Sequence, residues 1–448
     1  MPLSRDKGLR AIGVILLTVF GLVLLSVPLA SANFYMVVYE LNRILCPIQG
    51  SSPAFDDSDL AIFSDLGNVK VLGLGEATHG TKEFFEMKHR IFRYFVTNHG
   101  TRIFGFECDF AESIYLDRYV TTGEGNLKSL MSSKMHFWTW HTEEVMALLE
   151  WMRAYNDGRP EEDKIHYFGF DCQYTDLHVP LLREYILKFL PAVPLEIEAV
   201  LAEIQALTTS SYQTMESSRR DALIAKLAVV DDVFVSHEAE ACAALGELDF
   251  HIARQLVRTA SQAIEVTYAV YQGGFYPRDN YMAENVLRLR ELLPGDVPMV
   301  AWAHNGHIAK DAYYYGTGTN KQSMGYFLHQ ALGKDYQAVG FSFNGGSFMA
   351  FGPYGFGVQA VWQDPPITSY NHLFNYHWKG NFILRFDRLN PEGSLMIWMR
   401  PLRPLLVIGA KYNSYYFENY FRIIPLLDHF DFIIHFNHTH YAVQLSRN

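Results

Sequence analysis

The stretch that decides the fold is Val69-Lys70-Val71-Leu72-Gly73-Leu74-Gly75-Glu76-Ala77-Thr78-His79-Gly80-Thr81. An apolar run leads into a glycine-rich turn, and an amphipathic stretch follows from Lys82 to about Asn98. This order predicts a strand, a loop and a helix. Glu76 and His79 are the ionisable residues of the turn. A carboxylate beside a histidine can fix its tautomer and make it more basic, as a general base near neutral pH requires.

Two other interpretations of this turn stay open at this point. Gly73-x-Gly75-x-x-Thr78 is close to a dinucleotide-binding fingerprint, but the third glycine is missing and Glu76 would face the pyrophosphate. The simplest alternative is a tight turn with a solvated Glu76 and a capping threonine, because glycine-rich turns are common. The rest of the chain must decide between these alternatives and a site.

Composition limits the function classes. The chain has 448 residues, which predicts one large or two ordinary domains. Its formal net charge of −11 argues against a nucleic-acid-binding surface, since such surfaces are basic. The four cysteines lack the spacing of a metal site, and we expect them to be small buried hydrophobic residues.

The N-terminus has the pattern of a targeting segment. Residues 1–10 carry three basic side chains, residues 11–29 are almost wholly apolar, and Ala30-Ser31-Ala32 is typical of a signal cleavage site. The run is also long enough to span a bilayer, and residues 34–39 extend it. Residues 1–39 are therefore predicted to be a signal peptide or, preferably, an uncleaved membrane anchor. The basic flank predicts an extracytoplasmic body, either anchored to the membrane or secreted.

Short apolar runs alternate with amphipathic stretches along residues 46–448, which we assign to one α/β domain. The alternation predicts a three-layer α/β/α core with a mostly parallel sheet. Residues of about 181–260 are rich in Ala, Leu and Glu and are predicted to form a helical insertion or lid. Residues 346–364 and 382–400 are predicted to form shorter strands and hairpins.

Ionisable residues follow four of the predicted strands. Parallel sheets bind ligands at the carboxyl ends of their strands, and four such ends carry Glu76, Glu107, Asp171 and His304. His79 and His307 lie in the adjoining turns. Each residue alone is explained by solvent exposure or capping, but together they predict a site at this edge.

The chemistry of the predicted site follows partly from missing motifs. The sequence has no Gly-x-Ser-x-Gly elbow, no HExxH motif and no Walker loop. Water is then the expected nucleophile, with His79 as its base and Glu76 or Glu107 orienting that base. His304, His307 and Arg278 are predicted to polarise a carbonyl and stabilise an oxyanion.

A metal site is the main alternative, since several of the same residues are good ligands. If the protein is metal-dependent, zinc or manganese would be bound by Glu76, His79, Glu107, His304 and His307. His304 and His307 are three residues apart, a spacing that suits either role, so the sequence leaves this alternative open.

The motifs together resemble the erythromycin esterase family. The resemblance runs from about Leu72 to the end of the chain and depends on several separated motifs in the right order. These are Gly73-Leu74-Gly75-Glu76-Ala77-Thr78-His79-Gly80-Thr81, Glu83-Phe84-Phe85-Glu86-Met87-Lys88-His89-Arg90, residues 144–156, Gly169-Phe170-Asp171, Arg278-Asp279-Asn280-Tyr281-Met282-Ala283-Glu284-Asn285, Trp302-Ala303-His304-Asn305-Gly306-His307 and Ser323-Met324-Gly325.

The resemblance implies an α/β/α core with a helical lid and hydrolysis of a carboxylic ester or macrolide lactone. It implies that His79 activates water without an obligatory metal or other cofactor. Glu76, Glu107, Arg278, His304 and His307 would position the water and stabilise the intermediate. The expected partner is a small-molecule ester or lactone. The alternatives are a metal-dependent hydrolase or protease on a related fold and a non-catalytic extracytoplasmic binding protein.

Overall fold

The computed structural model describes residues 33–273, 276–311, 322–376 and 380–446. Its central sheet contains, among these residues, nine strands. They are β1 (Cys46–Pro47), β2 (Val71–Leu74), β3 (Ile103–Asp109), β4 (His166–Asp171), β5 (Met299–Trp302), β6 (Tyr336–Gly352), β7 (Gly355–Val361), β8 (Phe382–Arg385) and β11 (Phe432–Thr439). Their order is β1-β8-β11-β6-β2-β5-β3-β4, with β7 paired to β6. A separate antiparallel pair comprises β9 (Arg403–Leu406) and β10 (Phe421–Ile424).

Six neighbouring strands, from β11 through β6, β2, β5 and β3 to β4, pair in parallel. The pairs of β8 with β11, β1 with β8 and β7 with β6 are antiparallel. All residues of β2, β3, β4 and β5 are buried, as expected for parallel strands that helices cover on both faces. The predicted α/β fold with a mostly parallel sheet is therefore confirmed.

Helices cover both faces of the sheet and enclose two apolar cores. The helices are α1 (residues 33–44), α2 (Lys82–His99), α3 (Phe110–Thr122), α4 (Leu127–Lys134), α5 (Glu143–Asn156), α6 (His178–Phe189), α7 (Leu195–Gln205), α8 (Thr209–Gln213), α9 (Ser217–Ser236), α10 (Glu238–Leu245), α11 (Glu247–Gln272), α12 (Arg278–Leu289), α13 (Asn305–Ile308), α14 (Met324–Leu332), α15 (Tyr370–Asn375), α16 (Ser394–Met399) and α17 (Leu426–His429). Leu72 and Phe104 pack into one core with α2 and α5, whereas Val71 and Ile103 pack into the other with α6, α11 and α12. The structure thus has three layers.

The helical pattern predicted for residues 181–260 appears as the run of helices from α6 to α11. One prediction of local structure is wrong: residues 382–400 contain the short strand β8 and then the helix α16, not a hairpin. Ser394–Met399 is a short apolar run without alternation, and periodicity alone cannot distinguish a strand from a buried helix in such a run.

The N-terminal prediction needs correction. Within the part of the chain that the structure describes, no helix is both long and apolar enough to cross a bilayer. Residues 33–39, assigned above to the membrane segment, begin α1, whose Val37, Val38 and Leu41 are buried in the core. Glu40 accepts hydrogen bonds from the backbone of the first two residues of α16, Ser394 and Leu395, at 3.0 and 2.9 Å.

Helix α1 is therefore part of the folded domain. The prediction of a transmembrane segment or signal peptide, and of membrane association through it, is wrong for the described residues. The rest of that prediction, residues 1–32, lies outside them. The extracytoplasmic location stays a prediction.

Candidate active site

Four adjacent strands bring ionisable residues to one edge of the sheet. In the order β2, β5, β3, β4 they carry Glu76 two residues after β2, His304 two residues after β5, Glu107 within β3 and Asp171 at the end of β4. Because these strands are parallel, the four residues lie at the same carboxyl edge, where open α/β sheets bind ligands.

Two glycines allow the backbone to come close at this edge. A Cβ atom at Gly75 would collide with the side-chain oxygen of Asn305, and one at Gly80 would collide with the backbone of Met349. Asn305 is itself fixed, since its amide exchanges two hydrogen bonds with the backbone of Phe341 at 2.8 and 3.0 Å. The turn that carries the candidate base is thus held against α13 and β6, and glycine is needed at both contacts.

Glu76 is a fully buried carboxylate with three partners. One oxygen lies 2.7 Å from Nδ1 of His79, and the other accepts hydrogen bonds from Nζ of Lys88 and Nε1 of Trp302, each at 2.7 Å. Burial raises the pKa of Glu76, but the Lys88 ammonium and the bond to His79 outweigh it, so the pKa is lowered overall. Glu76 is therefore an anion that faces His79.

Lys88 is a buried cation whose charge stabilises the ionised form of Glu76. It lies in α2 with its side chain fully buried, and its Nζ is 4.1 Å from the centre of the Trp302 ring. Burial lowers the pKa of Lys88 to about 8, partly opposed by the Glu76 charge. Aromatic faces stabilise a desolvated ammonium, so the pair remains ionised at neutral pH.

Glu107 and Asp171 together hold Arg278. Arg278, at the start of α12, donates to the two oxygens of Asp171 at 2.9 and 2.6 Å and to Glu107 at 2.9 Å. Burial raises the pKa of Glu107, but the charges of His307 and Arg278 outweigh it and hold the pKa well below its usual range. The fork geometry fixes the guanidinium plane.

His307 is a second buried cation of this cluster. Its Nδ1 lies 2.7 Å from Asp279, and its Nε2 lies 3.2 Å from Glu107. Burial lowers the pKa of His307, but the Asp279 and Glu107 carboxylates outweigh it and raise it to about 10. Asp279 also accepts a hydrogen bond from the backbone of Met324 at 2.9 Å, which ties α12 to α14.

His304, by contrast, is neutral. Burial and the neighbouring His79 lower its pKa to about 3. Its Nδ1 accepts a hydrogen bond from the Gly306 backbone at 3.2 Å, so its Nε2 carries the hydrogen and donates to the Ile408 carbonyl at 3.3 Å. The backbone N–H of His304 donates to Glu107 at 2.9 Å. This histidine therefore contributes no positive charge to an oxyanion.

His79 lies at the meeting point of these groups. Its ring centre is 4.9 Å from that of His304 and 6.2 Å from that of Trp140, whose edge it meets at 88°. Trp140 also donates from Nε1 to the Glu107 carbonyl at 3.0 Å. A Cβ atom added to Gly409 would lie 3.8 Å from the His79 ring. About 18% of the His79 side chain is exposed, compared with 12% of the Arg278 side chain, so solvent reaches the ring of His79.

The structure brings all six sequence-predicted residues into one contiguous cluster, and their individual roles stay predictions. Within residues 33–273, 276–311, 322–376 and 380–446, no group of three or more His, Cys, Asp or Glu side chains is arranged to hold a metal ion. The candidate ligands Glu76 and Glu107 already pair with Lys88 and Arg278. A metal would have to displace these ion pairs.

Four residues of the cluster are missing from the site that the sequence predicts. Lys88, Trp302, Asp279 and Trp140 each contact a predicted residue directly. Lys88, Asp279 and Trp302 lie in motifs quoted above, and Lys88 also gives a physical signal, since it is a charged residue among the apolar positions of an amphipathic helix. A buried lysine is rare unless it is paired.

The sequence model of the erythromycin esterase family matches residues 96–439. The chain belongs to the erythromycin esterase family. The match includes Glu107, Arg278, His304 and His307, and it begins after the turn that carries His79. Membership supports a hydrolase of this type, and the structure adds the contacts that join His79 to the matched residues.

Curated relatives agree with this assignment. Erythromycin esterase type II of Escherichia coli is 26% identical over 320 residues, which cover 65% of this chain and 74% of that protein. Erythromycin esterase type I of Escherichia coli is 23% identical and covers 62% of this chain and 71% of that protein. The putative hydrolase YbfO of Bacillus subtilis (strain 168) is 22% identical and covers 63% and 67%.

Solved structures share the fold. A crystal structure described as a succinoglycan biosynthesis protein superposes with a TM-score of 0.78 at 24% identity, covering 91% of this chain and 98% of that chain. The erythromycin esterase mutant EreC in its open conformation gives a TM-score of 0.62 at 17% identity, covering 88% and 96%. At these identities the likeness concerns the fold alone.

Proposed function

We propose that this protein hydrolyses a carboxylic ester or lactone, with His79 as the general base on water. The observation that carries the proposal is the 2.7 Å contact between Nδ1 of His79 and the buried Glu76 anion. An anionic carboxylate can only accept, so Nδ1 carries the hydrogen and Nε2 has a free lone pair. That tautomer is the one a general base needs.

Charge around Glu76 supports the same role. Lys88 and Trp302 keep Glu76 ionised inside the protein, and Glu76 in turn stabilises the imidazolium that forms when His79 takes a proton from water. General-base removal costs on the order of 10²–10⁴ in rate. His79 is the only group of the cluster that combines partial exposure with this tautomer, among the residues that the structure describes.

Arg278 and His307 are the residues that stabilise the carbonyl oxygen of the substrate as it becomes negatively charged. Both are cations that Asp171, Asp279 and Glu107 fix in place. In a site from which water is largely excluded, fixed cations stabilise the negative charge that develops on a carbonyl oxygen. His304 is neutral, so we assign it the role of orienting His79 and Glu107 rather than of neutralising charge.

The decisive experiment is hydrolysis of a panel of simple esters and macrocyclic lactones by purified full-length protein. His79→Ala should reduce kcat by about 10²–10⁴ and leave the circular dichroism spectrum unchanged, because the residue is partly exposed in a turn. His251→Ala, a change at an exposed histidine on α11, is the matched control and should retain wild-type activity. Near-normal turnover by His79→Ala would refute the proposal.

The same assay tests the two alternatives. Exhaustive treatment with a chelator should leave the wild-type rate unchanged, whereas loss of activity that zinc or manganese restores would favour the metal-dependent hydrolase. Ligand binding by a wild-type protein that hydrolyses no member of the panel would favour the non-catalytic binding protein.

A further inference from the structure

An aromatic pocket adjoins the loops that frame His79. Its cavity of about 410 Å³ is lined by apolar side chains on one part, Trp138, Phe351, Phe356 and Leu445, and by the polar residues His136, His141 and Gln444 on the other. The Trp138 and Phe356 ring centres are 4.6 Å apart, and those of Phe351 and Phe356 are 5.2 Å apart. The three rings form one continuous apolar wall.

Two residues of the wall, Phe351 and Trp138, connect directly to backbone segments next to His79. The Phe351 N–H donates at 2.9 Å to the carbonyl of Ala410. Ala410 follows Gly409, at which an added Cβ atom would lie 3.8 Å from the His79 ring. Trp138 belongs to the same short 3-10 turn as Trp140, whose ring meets His79 edge-on. Two segments therefore lie next to both the pocket and the candidate base: the turn Trp138–Trp140 and the backbone at residues 409–410.

Two of the aromatic rings in the pocket are partly exposed to solvent, which is unfavourable for the stability of the protein. Phe351 and Phe356 are 42% and 40% exposed, although each has a ring that would gain free energy by burial. A concave surface lined by exposed aromatic rings is a common feature of ligand pockets.

We propose that this pocket binds the aliphatic part of an ester substrate and selects substrates by the length of that part. The inference rests on the proposed function, since it assigns a specificity site to the same reaction. The ligand class is an aliphatic chain or ring that packs on the aromatic wall. Ligand pockets combine a mostly apolar lining with one or a few polar groups in this way.

The test uses two ester series in a titration assay of acid release. One series contains methyl esters of straight-chain acids from acetate to decanoate, and the other contains alkyl acetates from methyl to decyl. In one of them, kcat/KM of the wild type should rise by about fourfold per methylene until the pocket is full. The double variant Trp138→Ala, Phe356→Ala should lose most of that dependence and retain activity on methyl acetate.

The matched control is Tyr354→Ala, because Tyr354 lies between Phe351 and Phe356 in the sequence and is 96% exposed outside the pocket lining. It should leave the chain-length dependence unchanged. Equal losses on short and long esters in the double variant would indicate a purely structural role for the wall and overturn the inference. A wild-type rate independent of chain length in both series would also overturn it.

A binding measurement separates this inference from the proposed function. Straight-chain methyl ketones have a carbonyl acceptor but no ester bond, so their affinity by calorimetry does not depend on catalysis. Affinity should rise with chain length in the wild type and become independent of it in the double variant. Length-independent binding would refute the inference even if esters are hydrolysed.

Discussion

Replacing Lys88 by Met should destabilise the protein and silence the candidate base together. Lys88 and Glu76 are both fully buried, and their 2.7 Å contact is the main source of compensation for the Glu76 charge. Methionine has nearly the same length and fills the same space without charge. Breaking a buried ion pair by removing one partner typically costs about 3–5 kcal/mol, because the other charge remains uncompensated.

Activity should fall for a separate reason. Without Lys88, burial favours the protonated form of Glu76, and a neutral carboxyl no longer stabilises the His79 imidazolium. We expect kcat to fall by about 10²–10⁴, the range for loss of a general base. The free energy of unfolding from urea titration and kcat on a short ester measure the two effects independently.

A double variant makes the reasoning refutable. Combining Lys88→Met with Glu76→Gln removes both charges, so the free energy of unfolding should recover by at least about 2 kcal/mol relative to Lys88→Met alone. Activity should not recover, because the side-chain amide of the introduced glutamine can donate to Nδ1 and would then hold His79 in the wrong tautomer. Simple additivity of the two destabilisations, or a Lys88→Met protein of wild-type stability, would show that no charge coupling exists.

Two further predictions concern other parts of the cluster and its surroundings. Asp171→Asn should lower kcat/KM on a short ester by about 10–100-fold without changing KM, because Arg278 loses one of the two carboxylates that fix its guanidinium. Steady-state kinetics measures both constants, and a change confined to KM would contradict the prediction. Burial lowers the pKa of His136, but Asp176 and Glu112 outweigh it and raise it to about 10. The ion pairs of His136 therefore contribute stability that is fully present below about pH 6.5 and is lost as pH rises through about 10. The difference in thermal stability between the wild type and His136→Gln should shrink between these two pH values. A difference that grows with pH would contradict this prediction.

Much of the site can be predicted because its elements are locally encoded. A fully apolar run that ends in glycines and is followed by an amphipathic stretch specifies a strand, a turn and a helix without reference to the rest of the chain. Polar residues directly after such runs must lie at the carboxyl edge of a parallel sheet. This reasoning places Glu76, Glu107 and His304 at one edge from the order of residues alone.

Local reasoning fails where one sequence pattern fits two environments. The apolar residues of α16 fit the prediction of a strand, because a short apolar run has no periodicity that separates a strand from a buried helix. Residues 34–39 fit the prediction of a membrane segment, because apolar side chains serve equally well in a bilayer and in a protein core. In both cases the packing partners decide, and they come from distant parts of the chain.

The sequence by itself thus determined the α/β class, the carboxyl edge and the candidate base, since each depends on the order of neighbouring residues. Only the tertiary structure decided the charge states. Trp302 reaches Glu76 across 226 residues of sequence, and Arg278 reaches Glu107 across 171. Whether a histidine of this cluster is neutral like His304 or charged like His307 depends on such distant partners, because the free energy of a desolvated charge is set by the groups that surround it.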